Sequence, residues 1–199
     1  AGYYCSFETN GESNGKSAPV TPETIAAIEK RMKELVELDI QIARRKISYT
    51  DAVRQFEQEG QWDKYNLLRY RNPPSIVIYE CEGFSDLSHG PLAFSTVALG
   101  YFKLVPYPPG FVILFPEREN APRLPAFEPQ PTLFNIFKEH KEWGRILGVN
   151  TVGSLNEIIA NREIGDFIKI AEAFHEKKIA RIADDIYARR DQIKWILIA

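Results

Sequence analysis

Four prolines, Pro122, Pro125, Pro129 and Pro131, fall within ten residues of one another. Each fixes φ and removes a backbone donor, so neither a helix interior nor a central strand can run through them. The chain must therefore divide near residue 125. Before the division lie alternating and β-branched segments. After it the apolar residues recur at helical spacing. The organisation expected is an α+β unit over residues 1–125 and a helical unit over residues 126–190.

The first unit opens on a strand in which Tyr3, Cys5 and Phe7 alternate with Tyr4 and Ser6, followed by a Ser/Asn/Gly-rich loop. Thr21 reads as an N-cap with Pro22 at the first helical position, ahead of an apolar stripe of Ile25, Ile28, Met32, Leu35 and Val36. A short strand is expected through Ile40 and Ile42. Ser48 and Asp51 then start a helix holding Val53 and Phe56, which Gly60 stops. "QWDKYNLLRYRN" is another helical piece. Residues 76–82, 101–107 and 111–115 are strands rich in β-branched and aromatic residues, the last two joined by "YPPG" as a hairpin. The pattern predicts one antiparallel sheet, containing these strands and the first one, with the helices at residues 22–39 and 51–59 on one face. In the second unit, "TLFNIFKEHKEWGRILG" is a helix, Ser154 with Glu157 caps a short one, and residues 165–190 form a long one. The long helix carries Ile168, Ala171, His175, Ile179, Ile182 and Ile186 on one stripe, with His175 as a packed residue. Residues 193–199 are an apolar run interrupted only by Lys194, suited to a strand buried on both faces. Both chain ends look like cuts.

A net charge of −2 over 199 residues leaves no global basic field for nucleic acid. Cys5 and Cys81 form no framework, which suits a reducing cytoplasm with both thiols buried. No apolar run approaches the ~18 residues of a membrane span. No glycine sits in G-x-x-x-x-G-K-[ST], so neither ATP nor another cofactor is expected on this chain. Self-association stays open.

The segment "GFSDLSHGPLAFST", residues 83–96, concentrates chemistry. Asp86, Ser88 and His89 precede a Gly90-Pro91 turn, and with Lys103 they form a candidate pocket. Three readings compete. Ser88 and His89 could act as nucleophile and base, but adjacent residues on an extended segment point to opposite faces. A metal site needs three or four protein ligands, which are not present here. The third reading is a Gly-Pro turn with Asp86 bonded to local backbone.

The same residues resemble the editing domain of threonyl-tRNA synthetases, with its pattern D-L-C-x-G-P-H, P-x-T-G and F-K-L. Asp86-Leu87, Gly90-Pro91, Thr96 and Phe102-Lys103-Leu104 match in register, and "GYYCSF" resembles that domain's aromatic first strand. The resemblance covers about residues 2–105 and implies an editing-domain-like antiparallel sheet. Ser88 stands where that family has Cys and Leu92 where it has the second His. The family's H-x-x-x-H helix would precede Gly2. No metal ligand set is therefore expected. "YPPGFVILFP", "VGSLNEII" and "EAFHEKKIARIADDI" resemble a group of bacterial uridine kinase-like proteins, in which such a region precedes a P-loop kinase domain. This second resemblance implies that residues 191–199 begin the kinase's first strand, with ATP and Mg²⁺ bound by that domain in cis. The chain would then be the accessory region of a nucleoside kinase. The alternatives are an aminoacyl-tRNA editing hydrolase and a tRNA-binding module without chemistry.

Overall fold

The computed structural model describes residues 2–8, 17–18, 20–71 and 73–194. Residues 195–199, the body of the terminal apolar run, lie outside the described residues. Asp191 to Lys194 before them form turn and coil.

The first strand β1 (Gly2–Cys5) is followed by the short strands β2 (Phe7–Glu8) and β3 (Ser17–Ala18), which pair with each other. Helix α1 (Pro22–Glu37) starts at Thr21, whose hydroxyl accepts the Thr24 N–H at 3.2 Å, with Pro22 where no N–H is needed. Strand β4 (Ala43–Ser48) leads into α2 (Tyr49–Gln58), capped by the Ser48 hydroxyl on the Asp51 N–H at 3.1 Å. Helix α3 (Trp62–Arg69) precedes β5 (Ser75–Cys81) and β6 (Phe84–Leu87). Strands β7 (Lys103–Tyr107) and β8 (Gly110–Leu114) close the α+β part.

The antiparallel strands divide into two three-stranded sheets, β1-β8-β7 and β4-β5-β6, where the sequence pattern suggested one. The reason is local. Strand β5 takes both partners from its own neighbourhood. On one side the two-residue turn Glu82-Gly83, with φ of 51° and 79°, returns the chain directly as β6. On the other side β4 runs antiparallel, Ile47 opposite Ile76. Arg44, Arg45 and Lys46 hide this strand from an apolar pattern, and Arg45 reaches Glu80 on β5 at 2.7 Å. Each sheet consequently carries its own helix rather than sharing one helical face. Ile25, Ile28 and Met32 of α1 pack on Leu104 and Phe111 of the first sheet. Ala52 and Phe56 of α2, with Leu68 of α3, close over Ile76 and Ile78 of the second. Phe56 and Ile78 are fully buried, each worth about 1.5–3 kcal/mol of hydrophobic transfer.

Strand β7 ends the first sheet. Its outward N–H at Leu104 donates to the Glu29 carboxylate of α1 at 2.9 Å, and the next outward position is Pro106, which has no N–H.

Beyond the proline-rich stretch come α4 (Pro131–Ile146), α5 (Val152–Ala160) and α6 (Ile164–Ala188). The start of α5 is Thr151, not Ser154. Thr151 and Ser154 cap each other reciprocally, so the helix begins three residues before the position that Ser154 and Glu157 suggested. Helix α5 lies on α3, and its buried Gly153 permits the approach: a Cβ there would stand 3.0 Å from the Asn66 Cβ. Helix α4 meets the first sheet through Phe134, whose ring lies 4.9 Å from Tyr4 and 4.5 Å from Tyr107. Among the described residues no helix is long and apolar enough to cross a membrane.

Candidate functional site

The Asp86–Lys103 stretch leaves the second sheet at the end of β6, passes the C-terminus of α1 and enters the first sheet as β7. With the α1–β4 connection at residues 38–42, this strap is one of two segments that join the two halves of the α+β part.

Its root is rigid. Ser85 is 2% exposed, and its hydroxyl accepts the Gln55 amide at 3.0 Å. Gln61 donates to the Ser85 carbonyl, also at 3.0 Å. Two helices therefore hold β6 by its backbone and side chain. Asp86, next along, accepts the Leu87 N–H at 2.6 Å and faces the Lys64 ammonium of α3 at 3.5 Å. Burial pulls the Lys64 ammonium down, but Asp63 and Asp86 together outweigh it and raise it above the ordinary lysine value.

Ser88 and Gly90 form the turn. The Ser88 hydroxyl donates to the Gly90 carbonyl at 2.8 Å and accepts the Gly90 N–H at 3.3 Å. His89 is exposed and makes no hydrogen bond with Ser88 among the described residues. The chain then runs extended past α1. Gln41 bridges Ser95, the Ile42 N–H donates to the Phe94 carbonyl at 2.8 Å, and the Thr96 N–H donates to the Ile40 carbonyl at 3.0 Å. Thr96 is the pin. Its buried hydroxyl accepts the Ile40 N–H at 2.9 Å and donates to the Leu35 carbonyl at 2.5 Å. Between the turn and the pin Pro91, Leu92 and Phe94 are exposed, Phe94 to 93%, while Ala93 and Ser95 are half-buried.

Of the four residues singled out in the sequence, Asp86, Ser88 and His89 share the end of β6 and its turn. Lys103 is elsewhere. It begins β7 on the first sheet, where its charge acts on Glu29. Lys64 was not legible. It meets Asp86 across 22 positions of sequence, and only the packing of α3 on β6 brings it there. Ser88 and the exposed Leu92 supply no metal-ligand set. Among the described residues no three His, Cys, Asp or Glu side chains gather as one.

Two grooves lie away from the strap. One, of about 690 Å³, runs between α1 and β7 past Glu29, Lys30 and Lys33. The other, of about 770 Å³, lies between the first sheet and α4 and is lined by Tyr4, Tyr107, Phe127, Phe134 and Phe137. Neither includes the four sequence-derived residues.

No protein-family model matches the chain. Curated relatives are threonine–tRNA ligases. That of Paraburkholderia phytofirmans is 37% identical over 107 residues, covering 52% of this chain and 15% of the ligase. That of Paraburkholderia phymatum is 39% identical over 92 residues, 45% of this chain and 14% of the ligase. The Acidovorax ebreus ligase is 39% identical over 88 residues, 44% and 14% respectively. About half of the chain is thus similar to threonine–tRNA ligases, and the chain spans about a seventh of their length.

Proposed function

We propose that the α+β part is an aminoacyl-tRNA editing-type domain that recognises the charged 3′ end of a tRNA along the strap at residues 86–101. The observation that carries this reading is the identity to threonine–tRNA ligases over 107 residues. The strap's geometry supports it. An aminoacylated end offers an ammonium, an ester and an unstacked adenine. Phe94 projects an open aromatic face of the kind on which single-stranded bases stack. His89 is solvent-accessible at the centre of the turn, where its imidazole could take the proton of a water attacking an ester. Ser88 is not set up as a nucleophile, because its hydroxyl is engaged with Gly90 and has no base beside it. Hydrolysis on this domain would proceed by water rather than through an acyl-enzyme.

The test is a deacylation time course with tRNA carrying a mismatched amino acid, run alongside a binding titration at low salt. Release above the spontaneous rate supports an editing hydrolase. Binding without release leaves recognition alone. Neither binding nor release overturns the reading. The other reading, an accessory region for an ATP-dependent uridine kinase domain in cis, rests on the order of the C-terminal motifs and gains nothing from these relatives. Calorimetry with Mg-ATP and uridine on any longer form of the protein would test it.

A further inference from the structure

Neither α4 nor α6 contains a single buried residue, although α6 runs for 25 residues. Helix α4 covers one side of α6. Trp143 sets its ring 5.8 Å from Phe174 and 5.4 Å from His175, and Glu139 pairs with Lys178. Adjoining that side of α6, with His175 at the border between the two, lies a second stripe: Ile168, His175, Ile179, Ile182 and Ile186. Its spacings of seven, four, three and four residues are those of a helix–helix seam. Ile168 is 48% exposed, Ile179 66% and Ile182 50%. From Ile168 to Ile186 the stripe is about 27 Å long at 1.5 Å per residue.

The charges on α6 indicate what covers it. Its first half carries Lys169 against Asp166, Glu172 and Glu176. From Lys177 onward, Lys177, Lys178, Arg181 and, just past the helix, Arg189 and Arg190 stand against Asp184, Asp185 and Asp191. The first half thus has an acidic excess and the segment from Lys177 to Asp191 a basic one, so the segment complements its own reverse. Two copies lying antiparallel bring acidic half to basic half at both ends, as a two-fold interface requires. Two parallel copies would set like against like.

We propose that α6 pairs antiparallel with α6 of a second copy of this chain, the isoleucine stripes facing each other and the two α4–α6 hairpins forming a four-helix bundle. The dimer does not depend on the editing-type reading of the strap.

Sedimentation velocity on the 199-residue chain should give a species of about twice 22.8 kDa. The double variant Ile179→Lys, Ile182→Lys should sediment as a monomer with unchanged far-ultraviolet circular dichroism, since both side chains are half or more exposed and fold without the contact. Orientation is read by disulfide trapping in a Cys5→Ser, Cys81→Ser background. Ile168→Cys and Ile186→Cys chains should cross-link when mixed, and neither should cross-link to itself, because antiparallel pairing brings only unlike positions within disulfide reach. A chain that stays monomeric up to roughly 100 µM, where a dissociation constant of about 10 µM would be evident, overturns the proposal. So does a dimer that survives the double variant, or self-cross-linking of Ile168→Cys alone.

Discussion

At the scale of single residues, Ser88 and His89 are neighbours in sequence with different surroundings. The hydroxyl is held in a turn, and the imidazole is open to solvent. If the strap supports ester hydrolysis, His89→Ala should lower the deacylation rate by about 10²–10⁴-fold, the usual contribution of a general base. Ser88→Ala should change it by less than about 10-fold, and single-turnover deacylation of charged tRNA separates the two. Asp86, the turn and its Gly-Pro step could be read from the sequence, because they are local. Lys64, Gln55 and Gln61 could not, since each reaches β6 from a helix whose packing no short motif encodes. Lys103 is the reverse case. Its place in a matching F-K-L triplet singled it out, and it opens a strand of the other sheet. Burial pushes the Glu29 carboxyl up, yet Lys33 and the Leu104 N–H outweigh it and hold it below the ordinary glutamate range. A depressed carboxyl stabilises the fold above its unfolded value of about 4.3, and that stability disappears as pH falls through the lower folded value. Glu29→Gln should therefore cost about 1 kcal/mol at neutral pH, the worth of a typical hydrogen bond. Urea midpoints of the two proteins should converge in acid. Midpoints that differ equally at all pH values would contradict it.

Among the elements, the helix starts at Thr21 and Ser48 were legible because capping is written within four residues. The Tyr107-to-Gly110 turn was legible for the same reason. Strand β6 was not, because its four residues merge into the motif that drew attention for its chemistry. Strand β4 was placed too early, since its three consecutive cations satisfy no alternating pattern and pair only through β5. The division of strands between two sheets is a tertiary choice and leaves no periodicity. The contact of α5 with α3 belongs to this scale as well. Gly153→Ala would place a methyl group against the Asn66 backbone and should destabilise the protein by about 1–3 kcal/mol, the range for overpacking. A lowered chemical-denaturation midpoint with an unchanged slope would report this. No loss would mean that α5 sits less tightly than its 3.0 Å approach implies.

For the molecule as a whole, two small cores are joined by two chain segments, the α1–β4 connection and the strap, and by the Arg31 guanidinium of α1, which bonds both oxygens of Glu82 at the β5–β6 turn at 2.6 Å. Thr96 anchors the strap midway, so the cores should unfold together. Thr96→Val, which deletes both bonds of that hydroxyl, should lower stability by about 1–3 kcal/mol and split a single thermal transition into two. A single transition merely shifted to lower temperature would show that Arg31 and α1 suffice to couple the cores. The rim of the first sheet has a different consequence. A bare sheet border recruits foreign strands and seeds fibrils. Here the border formed by β7 presents one donor already occupied by a carboxylate and one position with no donor at all. Glu29 thus closes the donor that this border would offer a foreign strand, and protonating it weakens that closure. Incubated below the ordinary glutamate range, the protein should bind thioflavin T sooner than at neutral pH, and Glu29→Ala should do so already at neutral pH.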